Sequence, residues 1–213
     1  MVVGYQMYLD WISDLTQGKK LVSSGMKQEV VRVTEAVELV SQGHKVALVS
    51  SGDAGVYGMA GLAIELAQKY PNLKVKTIPG VTAANTAAAS LGAPLMLDYA
   101  VMSLSDLLIP WEQIEKRLKA LAQAGLVVAL YNPKSTKRIA PFESAVDIFM
   151  KERGEDCFVG IVTDAGCAEE QTVITTLGKL KSEEVGMRSM VIVGNKETIV
   201  IGGQMLVPRG YKI

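Results

Sequence analysis

The run from Lys45 to Tyr70, "KVALVSSGDAGVYGMAGLAIELAQKY", constrains the fold more than any other part of the chain. "KVALVS" is short, apolar and rich in β-branched residues, as a buried strand is, and "GMAGLAIELAQKY" has the length and periodicity of a helix. A glycine-rich loop, "SGDAGVYG", joins them. The order returns downstream, where "VKTIPG" leads through a Pro-Gly turn into the alanine-rich "VTAANTAAASLG". Repeated strand, loop and helix predicts an α/β fold with a largely parallel sheet covered on both faces.

Upstream, Val30, Val33, Val37 and Val40 recur at three- and four-residue steps, which predicts a helix over Lys27 to Gln42 with those valines buried and Gly43 as its stop. "YAVMSLSD" reads as the last strand of this half, ending near Ser105. A second half follows, with helices in "WEQIEKRLKALAQA" and "FESAVDIFMKER" around the strand "LVVALYNP". From Cys157 onward, "CFVGIVTDAG", "EEQTVITTLGKL", "SMVIVGN" and "TIVIGGQML" follow closely, which predicts a mixed or antiparallel sheet. The expected division is 1–105 and 106–213.

Charge and composition exclude several functions. Lysine plus arginine equals aspartate plus glutamate at 22 each, with no run of five like charges, so a nucleic-acid footprint is absent. Cys157 and Cys167 have neither CxxC spacing nor a nearby histidine, which argues for free thiols in a reducing cytoplasm and against a zinc site. No signal-peptide pattern or long apolar run points to secretion or to a membrane. The chain opens on "MVVGYQMYLDWI", a strand-like run already in progress, which raises the expectation of further sequence upstream.

The glycine-rich loop lacks the lysine of a phosphate-binding GxxxxGK[ST] and is not GxGxxG, and its acid would repel phosphate. Asp53 stands alone, too few ligands for a metal. Two readings stay open: a plain strand-to-helix turn, or one wall of a ligand site, since open α/β sheets bind ligands at the carboxyl ends of their strands. "PGVTAAN" and "SLSD" are expected at the same edge. His44, the only histidine, lies in a connector at the opposite end, which disfavours a Ser-His-Asp or Cys-His nucleophile. "YNP" at Tyr131, "DAG" at Asp164 and "PRGY" near the C-terminus have ordinary explanations as strand ends, turns and tail.

Taken in order, "SSGDAGVYGMAG", "PGVTAANTAAASLGAPL", "SLSDLLIPWEQIEKRL", "ALYNPKS", "GIVTDAG", "VITTLG", "VIVGN" and "PRGY" resemble the tetrapyrrole methylases that act on precorrins on the way to cobalamin. "SLSDLLIPWE" and "ALYNP" are most similar to the members that methylate C17 of precorrin-3B or cobalt-precorrin-3.

The resemblance implies two α/β domains with a ligand cleft between them, a homodimer, and S-adenosylmethionine as methyl donor. Ser51, Gly52, Asp53 and Val56 fall on the family's donor loop, with Ala54 where the family has proline. Thr82 and Ala83, Asn132 and Gly166 fall on further donor contacts. Ser105 and Asp106 are expected near the cleft, and Lys134, Lys137 and Arg138 as partners for substrate carboxylates. The implied reaction is methyl transfer to C17 with contraction of the macrocycle. Family members begin with a GxGPG strand that this chain does not show, so the alternatives are a non-catalytic, dimerising or tetrapyrrole-binding homologue, or a methylase acting at another precorrin position.

Overall fold

Val2–Tyr5 (β1) runs up the centre of a three-stranded parallel sheet, flanked by Leu21–Ser24 (β2) and Ala47–Val49 (β3) in the order β2-β1-β3. Val3 lies opposite Val22 on one side and Leu48 on the other, and Val2 and Val3 are buried. Three helices complete this unit of the computed structural model: Gln6–Trp11 (α1), Glu29–Ser41 (α2) and Ala60–Ala67 (α3). The structure describes residues 1–212, which form two compact units, Met1–Thr82 and a second beginning at Ala83.

α2 forms where the valine spacing placed it, and Gly43, at φ 91°, ends it. Its buried positions are Arg32, Val33, Ala36 and Val37, whereas Val30 is exposed. At 100° per residue Val30 lies about a quarter turn off the centre of that face. Val33 and Val37 pack on Met59 and Ala63 to make the core of this unit.

"VKTIPG" departs from its expected strand. Among the described residues it pairs with no strand, and Val75 and Ile78 are exposed. A cavity of about 600 Å³ lies between this segment, β3, α2 and α3, where ladder hydrogen bonds would run. Pro79 has no N–H to contribute to a ladder. The segment is fixed at its end instead, through Gly80.

The second unit contains Ala83–Leu91 (α4), Gly92–Ala93 (β4), Tyr99–Ser103 (β5), Trp111–Gln123 (α5), Val127–Tyr131 (β6), Ala140–Arg153 (α6), Phe158–Thr163 (β7), Gln171–Thr176 (β8), Ser189–Val193 (β9), Ile199–Ile201 (β10) and Gln204–Leu206 (β11). The main sheet has the order β5-β6-β9-β7-β8, with β5 and β6 parallel and the other neighbours antiparallel. This is the mixed sheet expected from the strand-dense C-terminal sequence. β10, β11 and β4 form a small second sheet.

The pleat of β6 divides the core. Val128 and Leu130 face the layer of α5 and α6, with Leu118, Phe142 and Phe149, while Val127 and Ala129 face α4 through Ala84, Ala87, Ala88 and Leu91. Alanine is the side chain that lets α4 lie close to the sheet. The division of the chain therefore falls after Thr82 rather than after residue 105. β5 is a strand as expected, but its ladder partner is β6, in register from Tyr99 opposite Val127 to Ser103 opposite Tyr131, and that partner decides its unit.

Candidate functional site

In the first unit the loop between β3 and α3 is organised by one carboxylate. Asp53 Oδ1 accepts the Gly55 N–H at 2.7 Å, and Oδ2 accepts the Gly80 N–H at 2.9 Å. Its own carbonyl accepts the Val56 N–H at 3.2 Å. The Gly80 and then the Gly55 amide hold the Asp53 carboxyl below its ordinary value of 3.8. Asp53 thus ties the loop between β3 and α3 to the end of the 73–80 segment, and the structure gives it no arrangement suited to a general acid.

The loop is closed at its base by the Ala60 N–H on the Ala54 carbonyl at 3.0 Å and by the Met59 N–H on Ser50 Oγ at 3.4 Å. Alanine at 54 therefore keeps the turn. Gly58 has no room for a side chain, because a Cβ there would lie 2.5 Å from the Ala54 carbonyl oxygen. At Gly80 a Cβ would land on the Gly52 carbonyl oxygen. The N–H groups of Gly52 and Ala54 have no intramolecular partner among the described residues. Ser51 and Gly52 are exposed and Val56 is half-buried.

In the second unit, the ends of β5 and β6 form a polar cluster. Asn132 Nδ2 donates to Ser103 Oγ at 3.0 Å, and the Ser105 N–H donates to the same oxygen at 3.2 Å. Arg138 Nη2 donates to the Asn132 carbonyl at 2.8 Å, while Arg138 Nε is buried without a partner. Three sequence-selected residues, Ser105, Asn132 and Arg138, are thereby brought together. Asp106 is exposed and outside this network, and the Lys134 amine sits 5.8 Å from the centre of the Phe142 ring.

Gly166 lies elsewhere. Its N–H donates to Glu170 Oε2 at 2.6 Å, and a Cβ on it would approach Thr86 of α4 to 3.2 Å. The Gly166 amide, then the Ser90 hydroxyl, hold Glu170 below the usual carboxylate value. Thr82 and Ala83 are half-buried, and Ala83 opens α4. The Ala84 N–H donates to the Tyr131 hydroxyl at 3.0 Å, which fixes the start of α4 to the end of β6.

Ser103 and Tyr131 lie within the "SLSD" and "YNP" stretches, although neither is among the individual site residues the sequence singles out. Ser103 and Ser105 are two apart at a strand end, so they share a face, and that spacing was the available signal. A second signal is backbone conformation. Four non-glycine residues among those described have positive φ, and three lie in stretches named above, Tyr57 in the glycine-rich loop, Asn132 in "YNP" and Asp164 in "DAG"; such strain concentrates at ligand sites. His44 is exposed in its connector. Among the described residues no cluster of His, Cys, Asp or Glu could hold a metal, and no helix is long and apolar enough to cross a membrane.

Residues 1–181 match the family of tetrapyrrole (corrin/porphyrin) methylases. The chain belongs to this family. A methylase-family relative from Salmonella typhimurium, the probable cobalt-factor III C(17)-methyltransferase, is 46% identical over the whole of this chain, which spans 89% of that protein. The cobalt-factor III methyltransferase of Priestia megaterium is 44% identical over the whole of this chain, which spans 40% of its length. Among solved structures, the methyltransferase CobJ matches with a TM-score of 0.91 and 33% identity, covering 97% of this chain and 87% of that one. The fold likeness accords with the α/β architecture of both units.

Proposed function

We infer that this chain transfers a methyl group from S-adenosylmethionine to C17 of cobalt-factor III, with contraction of the macrocycle, as a cytoplasmic step of cobalamin biosynthesis. The observation that carries this reading is the 46% identity, along the whole chain, to a relative bearing that name. The cobalt in the relatives' names favours the cobalt-bearing substrate over precorrin-3B.

The donor loop fits the proposed ligand. Unpartnered amides at Gly52 and Ala54 offer donors to a ribose or carboxylate, and the glycines let a ligand approach the backbone closely. The half-buried Asp53 carboxylate is a favourable neighbour for a sulfonium. Ser51, Gly52, Asp53, Val56, Thr82, Ala83, Asn132 and Gly166 would hold the donor. S-adenosylmethionine supplies an activated methyl on a positive sulfur, which an electron-rich ring carbon displaces in line. Such a step depends on proximity and orientation, so a site built of turns and small residues is chemically sufficient for it. Lys134, Lys137 and Arg138 would meet substrate carboxylates, with Ser105 and Asp106 beside them, and the working form in this reading is a homodimer.

Because folding lowers the Asp53 pKa, its contribution to loop order is complete above the ordinary carboxylate value of 3.8 and is lost as pH falls through the lower folded value. Affinity for S-adenosylhomocysteine, measured by calorimetry, should owe no pH dependence to this group between about pH 5 and 8. Asp53→Asn should weaken binding across that whole window, since one amide face presents a donor to a backbone N–H. Equal affinity in wild type and Asp53→Asn would remove the carboxylate from the site. Transfer of label from methyl-labelled donor to cobalt-factor III tests the reaction. Neither label transfer nor heat with S-adenosylhomocysteine would leave the non-catalytic alternative standing.

A further inference from the structure

The first unit carries an aromatic wall that none of the site residues above includes. Tyr5 is the last residue of β1, and Tyr8 and Trp11 follow at three-residue steps along α1. The Tyr5 and Tyr8 rings meet edge to face at 5.2 Å, and Tyr8 and Trp11 lie 5.4 Å apart with their planes tilted by 32°. In a chain only 6% aromatic, this is a concentration. It is also not core, because Trp11 is 54% exposed.

Behind the wall stands a cation. Arg32 is 3% exposed, with its guanidinium 5.8 Å from the centre of the Tyr5 ring. It donates to Ser24 Oγ and the Gly25 carbonyl, each at 2.8 Å, and to the Met59 sulfur at 3.4 Å. Among the described residues no carboxylate lies within ion-pair distance of it. A buried charge with hydrogen bonds but no counter-ion leaves a positive potential at the sheet edge it faces. Leu9, on the same helix, is buried, and α1 lies so close to β1 that a Cβ on Gly4 would come within 2.9 Å of Leu9 Cδ2.

The geometry points to Tyr5, Tyr8 and Trp11 as the surface on which a planar, conjugated, carboxylate-bearing macrocycle stacks, with Arg32 supplying positive potential from behind. This assignment rests on the function proposed above and names where the acceptor's ring lies. The position is the carboxyl end of the central strand of a parallel sheet, where α/β folds take ligands. The chemistry matches on both counts, since aromatic faces favour a flat π system and an uncompensated cation favours an acidic rim.

The test compares wild type with Trp11→Ala, Tyr8→Ala and Trp11→Phe. Three quantities are read: the dissociation constant for cobalt-factor III by absorbance titration, that for S-adenosylhomocysteine by calorimetry, and the sedimentation coefficient. Loss of one stacked ring is expected to weaken tetrapyrrole binding about tenfold. Trp11→Phe should recover most of that loss, with donor affinity and sedimentation unchanged. Tetrapyrrole affinity unchanged in both alanine variants overturns the wall while the functional reading survives. A changed sedimentation coefficient with unchanged affinity makes the patch a contact between copies of the chain, and also overturns it. If wild type itself binds no cobalt-factor III, the functional reading fails first and the wall with it.

Discussion

Gly80→Ala is expected to cost the protein its methyl-donor affinity while leaving the second unit folded. A Cβ at this position meets the Gly52 carbonyl oxygen head on, with the Gly52 carbonyl carbon at 3.1 Å and Asp53 Cα at 3.5 Å. All three are backbone atoms, so no rotamer change relieves the clash, and the two segments must separate. Separation breaks the 2.9 Å bond from the Gly80 N–H to Asp53. Overpacking of this kind costs roughly 1–3 kcal/mol, which as lost binding is about five- to 150-fold. The control is Gly61→Ala in α3, where nothing lies within 4 Å of the added carbon and the helix gains from alanine. Calorimetry with S-adenosylhomocysteine reads both, and equal affinity in Gly80→Ala and Gly61→Ala would detach the loop from donor binding.

Phe142→Ala carries the largest expected effect on stability. The ring is 1% exposed in the first turn of α6 and packs among Leu104, Ile114, Leu118 and Phe149. Truncating a buried phenylalanine leaves a cavity and costs about 3–5 kcal/mol. The same change removes the ring beneath the Lys134 amine, so the loop after β6 loses its anchor as well. Urea unfolding should show the midpoint falling steeply, with Phe142→Leu falling far less. A loss under about 1 kcal/mol would mean that the α5 and α6 layer repacks around the gap.

The sequence made the alternation of strand and helix legible because burial face and period are local properties. α2, α3 and α4 appear where their apolar spacing and alanine content placed them, and the later strands form a mixed sheet. Pairing is not local. "YAVMSLSD" has the composition of a strand, yet only its register against Val127–Tyr131 assigns it to the second unit. "VKTIPG" also reads as a strand, but among the described residues it has no ladder partner.

The site divides along the same line. Ser51 to Val56 are contiguous, so glycine content and family resemblance are enough to propose their loop. Ser105, Asn132 and Arg138 were chosen from separate stretches, and what joins them is Ser103 Oγ and the Asn132 carbonyl, contacts made by the β5–β6 ladder. Arg32 gave no signal at all. An arginine on an amphipathic helix is ordinarily solvated, and its burial against Ser24, Gly25 and Met59 depends on three chain segments meeting.

The central claim, methyl transfer to C17, is tested most directly by position. The chain is incubated with S-adenosylmethionine carrying a ¹³C methyl group and with cobalt-factor III, and the tetrapyrrole product is analysed by carbon NMR. A single enriched methyl bonded to C17 is the expected result. Enrichment at another ring carbon, or an unlabelled macrocycle recovered from protein that binds both ligands, would contradict it.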